Sequence, residues 1–266
     1  ANHANKLCST EYVFNIKQSV IDSLNDIIID CWIVFKHPKQ LIEEFNNKHL
    51  GQPGIIIGSG TSLLEVDLSL FKNYPRITVN SGYVACTDAE YFVSDDEEIA
   101  LWNFFHEDLR NSNTTVLLYE DKLQDRAKWF GDRSVLFRHR TGYNVTDKYE
   151  HENKKNRITQ SRTSLGTGIH IAHIMGCNPI LVLGLDCYRW GNYRWFWQCP
   201  QWMGIKPHRL DNHNEDKYRQ KYHRRIRTDD DLMDIMRYWQ SQGGEFNKKC
   251  KLYNGSRQSM VEVFPK

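Results

Sequence analysis

"PGIIIGSGTSLLEVDLSLFKNY" (residues 53–74) decides how the rest of the chain is read. Three isoleucines in a row behind Pro53-Gly54 form a short apolar run, the length of a buried strand. The run stops at Gly58-Ser59-Gly60, and apolar residues then recur at helix spacing, so a helix or helix-turn is expected over "TSLLEVDLSLFKNY". Strand, glycine turn and helix start in that order suit a phosphate. Glycines let the backbone come close, and the first helical N–H groups are free to bind an anion. The pattern is neither G-x-G-x-x-G nor a P-loop, because no Gly-Lys-Ser/Thr follows. A tight strand-to-helix turn with no ligand is the competing explanation.

Downstream, short apolar strands alternate with helical stretches. "RITVN" (76–80), "AEYFVS" (89–94), "TTVLLYE" (114–120), "RSVLFRH" (133–139) and "NPILVLGLD" (178–186) read as strands, with "CKLYNGS" (250–256) as a last strand and turn. "DDEEIALWNFFHEDLRN", "DKLQDRAKWFG" and "SRTSLGTGIHIAHIMGC" read as helices, the first with acids in its opening turn and the last ending at Gly176. Strands that are apolar throughout, separated by helices, predict an α/β protein: a Rossmann-like, mostly parallel sheet flanked by helices. Residues 1–50 carry helix-spaced apolar residues and are expected to form a helical N-terminal extension. Residues 51–266 are expected to form a single α/β domain. Within it, residues 187–227 break the alternation with four Trp and many Arg and His. So long an irregular insertion predicts an aromatic, basic lid or binding loop. "TDDDLMDIMRYWQSQGG" (228–244) then restarts a helix, with Thr228 as its cap.

Composition sets few limits. A charged fraction of 26 % and a hydrophobic fraction of 40 % belong to an ordinary globular chain, and a net charge of +2 names no partner. The seven cysteines form no Cys-x-x-Cys pair, which argues against a disulfide framework and fits a reducing compartment. "IIIDCWIVF" is too short to span a bilayer and Asp30 interrupts it. A cytoplasmic protein without a membrane span is expected, a viral protein acting in a host cell included.

Polar residues stand where four of the strands end: Gly58 to Ser62 after the first, Asn80 after the second, Ser94-Asp95-Asp96 after the third, and Asp186 after "ILVLGL". In an open parallel sheet, ligands bind beyond the carboxyl ends of the strands. Each of these residues also has a capping role open to it, Asp95 and Asp96 above all.

"GIIIGSGTSL", "ITVNSGYVACTDAEYFVSDD" and "RTSLGTGIHIAHIMGCNPILVLGLDCY", in that order, resemble a superfamily with two branches. One is glycosyltransferase family 42, the bacterial sialyltransferases that use a CMP-activated sugar. The other is the domain of unknown function 115 group, which includes a pterin pyrophosphokinase. The resemblance spans roughly residues 54–260. It implies that Gly58, Ser59, Gly60, Thr61 and Ser62 hold nucleotide phosphates or ribose. By the same resemblance Asn80 and Asp95 line the nucleotide site, Ser164 stands near the donor, and Asp186 meets the ribose or base. Tyr188 and Tyr193 would supply phosphate-binding hydroxyls. A histidine after the lid would act as general base, and His223 is the nearest match. His223, Asp186 and Tyr188 make up the expected catalytic set. The sequence departs from the superfamily at Ser59 and Thr61, where Asn or Ala and Pro are usual. Arg162 lies one residue from the position of the sialyltransferase arginine.

Such a transfer needs a base for the acceptor hydroxyl, stabilisation of the leaving nucleotide and exclusion of water. It requires no cofactor beyond the nucleotide sugar itself, with Mg²⁺ left open. His208 and His213 are rival bases, and with Cys199 they fit no standard zinc spacing. "KYRQKYHRRIR" (217–227) has six Lys/Arg in eleven residues beside tryptophans. That mixture suits a glycan acceptor, or DNA carrying a hydroxymethylated pyrimidine. Two other classes stay open. A pyrophosphokinase would use Asp95, Asp96 and Asp186 as Mg²⁺ ligands, and a non-catalytic nucleotide- or nucleic-acid-binding protein would need no base.

Overall fold

The computed structural model describes residues 39–40, 44–139, 157–158, 163–187, 191, 193–207, 250–257, 259–261 and 264–265. The helices expected before residue 39 and at 228–244 lie outside these residues, as does the basic half of the lid. So do Tyr188, His208, His213 and His223. The chain divides at Pro38 into two compact units, and the sheet belongs to the second, residues 39–266.

Among the described residues nine strands form it: β1 (Lys39–Gln40), β2 (Gly54–Ile57), β3 (Arg76–Val79), β4 (Tyr91–Ser94), β5 (Thr115–Tyr119), β6 (Ser134–His139), β7 (Arg157–Ile158), β8 (Ile180–Leu183) and β9 (Leu252–Asn254). Their order is β1-β6-β5-β4-β3-β2-β8-β9, with β7 paired to β6. Every pairing is parallel. The chain steps outward from β2 to β6 and then returns to β8, on the other side of β2. Parallel crossovers are right-handed, so reversing direction moves the covering helix to the opposite face.

The core shows this division residue by residue. Ile55 and Ile57 of β2 pack with Leu63, Tyr83, Phe92, Phe104, Phe105 and Leu118, under the connections made on the outward run. Ile56 points the other way and packs with Ile77, Val79, Val93, Ile169 and Ala172. That second layer is built on helix α3 (Ser164–Ile174). Residues Leu165 to Ile174 are all buried, as an apolar helix with no polar stripe requires. Gly168 lets α3 lie close to the sheet, since a Cβ there would stand 2.9 Å from Val79 Cγ2. Residues 44–51 belong to the sheet body: Phe45 is buried against the edge of Tyr91.

Three expected helices are shorter than their periodicity suggests. Residues 61–74 form two 3₁₀ turns, Thr61–Glu65 and Leu68–Phe71. The stretch 95–111 is a 3₁₀ turn, Glu97–Leu101, then helix α1 (Asn103–His106), separated by extended Trp102. Helix α2 (Glu120–Ala127) passes into a 3₁₀ segment, Lys128–Arg133, at whose end Gly131 takes a positive φ. In the second and third of these, large aromatics are the physical reason. Phe104, Phe105 and Phe130 are buried side by side, and tertiary packing overrides a weak helical preference.

Candidate functional site

The switch point of the sheet lies between β2 and β8, where α/β folds place their ligands. The glycine turn follows β2 there. Its Gly58 and Gly60 N–H groups donate to the carbonyls of Leu183 (2.9 Å) and Gly184 (3.2 Å) past β8. Gly60 is required by a carboxylate: a Cβ at this residue would stand 2.5 Å from Asp186 Cγ.

Asp186 is buried and its oxygens are engaged within the protein. It accepts hydrogen bonds from the Ser62 N–H (2.9 Å), the Ser62 hydroxyl (2.5 Å) and the Thr61 hydroxyl (3.2 Å). The Ser62 hydroxyl also lies 2.7 Å from that of Ser256, just after β9. Asp186 thus braces the turn, as do Thr61 and Ser62, which are buried with it. Among the described residues, no backbone carbonyl is seen to accept from the Ser59 or Thr61 N–H of the same turn.

A second carboxylate stands three strands away from Asp186. Asp95, after β4, accepts from the hydroxyl of Ser164 and from that of Thr167 (2.9 Å), both in the first turns of α3. The same Oδ2 faces His139 Nε2 at 3.4 Å, at the end of β6. Asn80, after β3 and at a φ of 50°, donates through Nδ2 to the Ser164 hydroxyl (3.1 Å). Burial alone would raise the Asp95 carboxyl. Hydrogen bonds from His139 and Ser164, the charge of His139 and the Thr167 hydroxyl outweigh it and hold the carboxyl below its ordinary value. Asp96 caps the next turn, accepting from the Glu98 N–H at 3.0 Å. Burial and the neighbouring Asp95 charge push its carboxyl up, against the capping bond.

The two clusters adjoin. Leu165, next to Ser164, touches Gly58: its Cδ1 would lie 3.0 Å from a Cβ there. Ser81, next to Asn80, donates to the Ser59 hydroxyl at 3.0 Å. Thr163 caps α3, whose amino end therefore opens beside the glycine turn.

The first half of the expected lid rests on this edge. The Phe196 N–H donates to the Ser59 carbonyl (3.1 Å), and Trp197 Nε1–H donates to the Ser81 hydroxyl (3.1 Å). Trp197 stacks on Trp195 with ring centres 5.2 Å apart, and Trp102 meets it edge-on. The Arg194 guanidinium lies over Trp195. Phe196 is core, fully buried with Trp202 against it. Tyr193 is partly exposed at the start of this segment.

Of the residues singled out in the sequence, the structure brings together Gly58, Ser59, Gly60, Thr61, Ser62 and Asp186 in one cluster. Asn80, Asp95 and Ser164 meet in the other. His139, Thr167, Ser81, Trp197 and Ser256 also belong here and were missed. His139 closes a strand, "RSVLFRH", so the rule that found Asn80 and Asp95 would have found it too. The three carboxylates proposed as Mg²⁺ ligands do not converge in this structure. Among the described residues, no three His, Cys, Asp or Glu stand close enough to hold a metal ion.

Sheet order, crossovers and a glycine turn at the switch point make this a Rossmann-like α/β fold with an all-parallel sheet. No protein-family model matches the chain, and no curated protein matches it in sequence. Among solved structures it is similar to the MAf glycosyltransferase from Magnetospirillum magneticum AMB-1. The TM-score is 0.51 at 12 % identity, covering 92 % of this chain and 41 % of that one. This chain therefore spans less than half the length of that protein. The sialyltransferase CstII from Campylobacter jejuni, solved with the substrate analogue CMP-3FNeuAc, gives a TM-score of 0.44 at 13 % identity. That match covers 81 % of this chain and 85 % of CstII. The likeness to the MAf protein is one of fold, and the expectation of a glycosyltransferase-like fold is met at that level. No helix among the described residues is long and apolar enough to cross a membrane.

Proposed function

We propose that this protein transfers a sugar from a nucleotide-sugar donor to an acceptor hydroxyl. One observation carries the reading: the glycine turn and the amino end of α3 open side by side at the switch point of the sheet. The N–H groups of Ser59 and Thr61, which meet no backbone carbonyl among the described residues, with the positive end of the α3 dipole, suit the phosphate of a nucleotide. Charge grows on that phosphate as the sugar leaves, and preorganised N–H donors stabilise it without a reorganisation cost. The Trp195–Trp197 stack offers a flat face for a base or a pyranose and a means of excluding water. A histidine takes the acceptor proton, a task that suits a group titrating near neutral pH. The fold shared with a glycosyltransferase supports the same reading. A glycan acceptor and a hydroxymethylated pyrimidine in DNA are both compatible with it.

A thermal-shift panel of CMP, UMP, UDP, GDP, AMP and ATP, each with and without Mg²⁺, tests the proposal. Stabilisation by CMP, UMP, UDP or GDP in the absence of metal is expected; at a hundredfold excess over Kd it amounts to about 2.7 kcal/mol. A response to ATP alone, and only with Mg²⁺, would replace this reading with the pyrophosphokinase. No response to any of them would make the turn plain architecture.

A further inference from the structure

Among the described residues, the hydrogen-bond chain around Asp95 ends on both sides at an unbonded polar atom. Asn80 donates to Ser164, Ser164 donates to Asp95, and Asp95 holds His139. Beyond these links Asn80 Oδ1 and His139 Nδ1 are buried without a hydrogen-bond partner among the described residues. A buried polar atom left unbonded costs about 1–3 kcal/mol. Native structures keep few of them, and each calls for an explanation.

His139 is also tightly held. Its side chain is only 6 % exposed. The Tyr119 ring lies 4.5 Å from its ring centre and the Phe137 ring 5.7 Å. Two aromatic rings fix the plane of the imidazole, and Asp95 fixes which nitrogen carries the proton. A carboxylate on one imidazole nitrogen and a buried nitrogen left unbonded on the other is the arrangement of an oriented general base.

We infer that His139, positioned by Asp95 through Nε2, takes the proton of the acceptor hydroxyl on Nδ1. The inference rests on the transferase reading above. In the step, the bond from the sugar's anomeric carbon to the nucleotide phosphate breaks, and the phosphate leaves with the electron pair. The acceptor oxygen bonds to the anomeric carbon, and its proton moves to His139 Nδ1. Asp95 stays ionised and stabilises the imidazolium, which makes it a positioning residue. Among the described residues, the other titratable group against the ring is Tyr119, whose hydroxyl donates to Asp121 in α2; Arg138, the preceding residue on β6, is paired with Glu120. His223, expected from the sequence to be the base, is the rival.

His139→Gln tests this, because the Gln amide N–H can replace Nε2–H against Asp95 while the basic nitrogen is lost. CMP-sialic acid, UDP-glucose, UDP-N-acetylglucosamine and GDP-mannose are offered as donors with water as acceptor, and released nucleotide is measured. For the donor that wild type consumes, kcat of the variant is expected to fall about 100-fold or more, with KM within about threefold. Asp95→Asn should cost less, with its loss also in kcat. A His139→Gln rate within about threefold of wild type overturns the inference and leaves the transferase reading standing. Wild type that consumes none of the four overturns the transferase reading and this inference with it. Should His139→Gln fail to fold, wild type is titrated with diethyl pyrocarbonate while consuming the same donor. Loss of turnover that tracks modification of His139 in peptide maps supports the inference. Loss that tracks another histidine, His223 included, or no loss at all, overturns it.

Discussion

Asp186 and Asp95 are two buried or nearly buried carboxylates at the same edge of one sheet, each clasped by Ser and Thr hydroxyls. The Asp186 cluster is closed. Its oxygens take up Ser62 and Thr61, and Ser62 hands on to Ser256. The Asp95 cluster is open: among the described residues it runs from Asn80 to His139 and finishes at an unbonded atom on each side. An acidic residue at a strand end therefore does not by itself mark a reacting group. Hydrogen-bonding capacity left over after folding is the better marker, because folding alone would have used it.

The contrast predicts which cluster costs stability when broken. Asp186→Ala leaves the Ser62 N–H and the Thr61 hydroxyl without their acceptor, in a place water does not reach, while the Ser62 hydroxyl keeps Ser256. Each orphaned donor costs about 1–3 kcal/mol, so a loss of about 2 kcal/mol or more is expected in a urea unfolding curve. A loss below about 1 kcal/mol would show that the cluster is not closed. Gly60→Ala attacks the same brace from the backbone. Its new methyl would stand 2.5 Å from Asp186 Cγ, and overpacking of this kind costs about 1–3 kcal/mol.

Trp197→Phe probes the border between the clusters. It removes the N–H that holds Ser81 and keeps most of the ring stack. The expected stability cost is about 1 kcal/mol. On the reading proposed above, nucleotide binding should also weaken about three- to tenfold, measured by calorimetry. Unchanged affinity would place the tryptophan stack outside the nucleotide site.

How much of this was legible in the sequence follows from the range of the forces involved. The strands were legible, because each carries its burial in a few consecutive residues: Gly54–Ile57, Tyr91–Ser94 and Ile180–Leu183 are apolar runs that need no partner to be recognised. Helix α3 was legible from its stop at Gly176, though its cap, Thr163, was not. Residues 95–111 were not, because the packing of Phe104 and Phe105 against Phe92 and Phe130 decides where the helix breaks. Those contacts depend on a sheet order that no local pattern encodes. The site was legible as a set of strand ends and illegible as two clusters. Nothing near Asp186 in the sequence says that Ser62 will saturate it. Nothing near Asp95 says that His139, two strands over, will hold it.

The smallest effect separates the adjacent acids Asp95 and Asp96. Asp95 is held below its ordinary value, so its ion network stabilises the fold fully above the unfolded carboxylate range of about 3.9. That contribution is lost as pH falls through its lower folded value. Asp96 is shifted the other way, by burial and by the Asp95 charge. A carboxyl raised in the folded state binds its proton more readily there than in the unfolded chain, so its ionised form costs stability at neutral pH. Asn caps a helical turn as well as Asp does, so Asp96→Asn keeps the bond from the Glu98 N–H and removes the charge. A slight rise in melting temperature is expected at pH 7, shrinking as pH falls through the raised Asp96 value. Asp95→Asn should do the opposite, lowering the melting temperature at pH 7 and converging on wild type in acid. If both variants shift the same way at pH 7, the two acids share one environment, and the hydrogen bonds to Ser164, Thr167 and His139 do not set Asp95 apart.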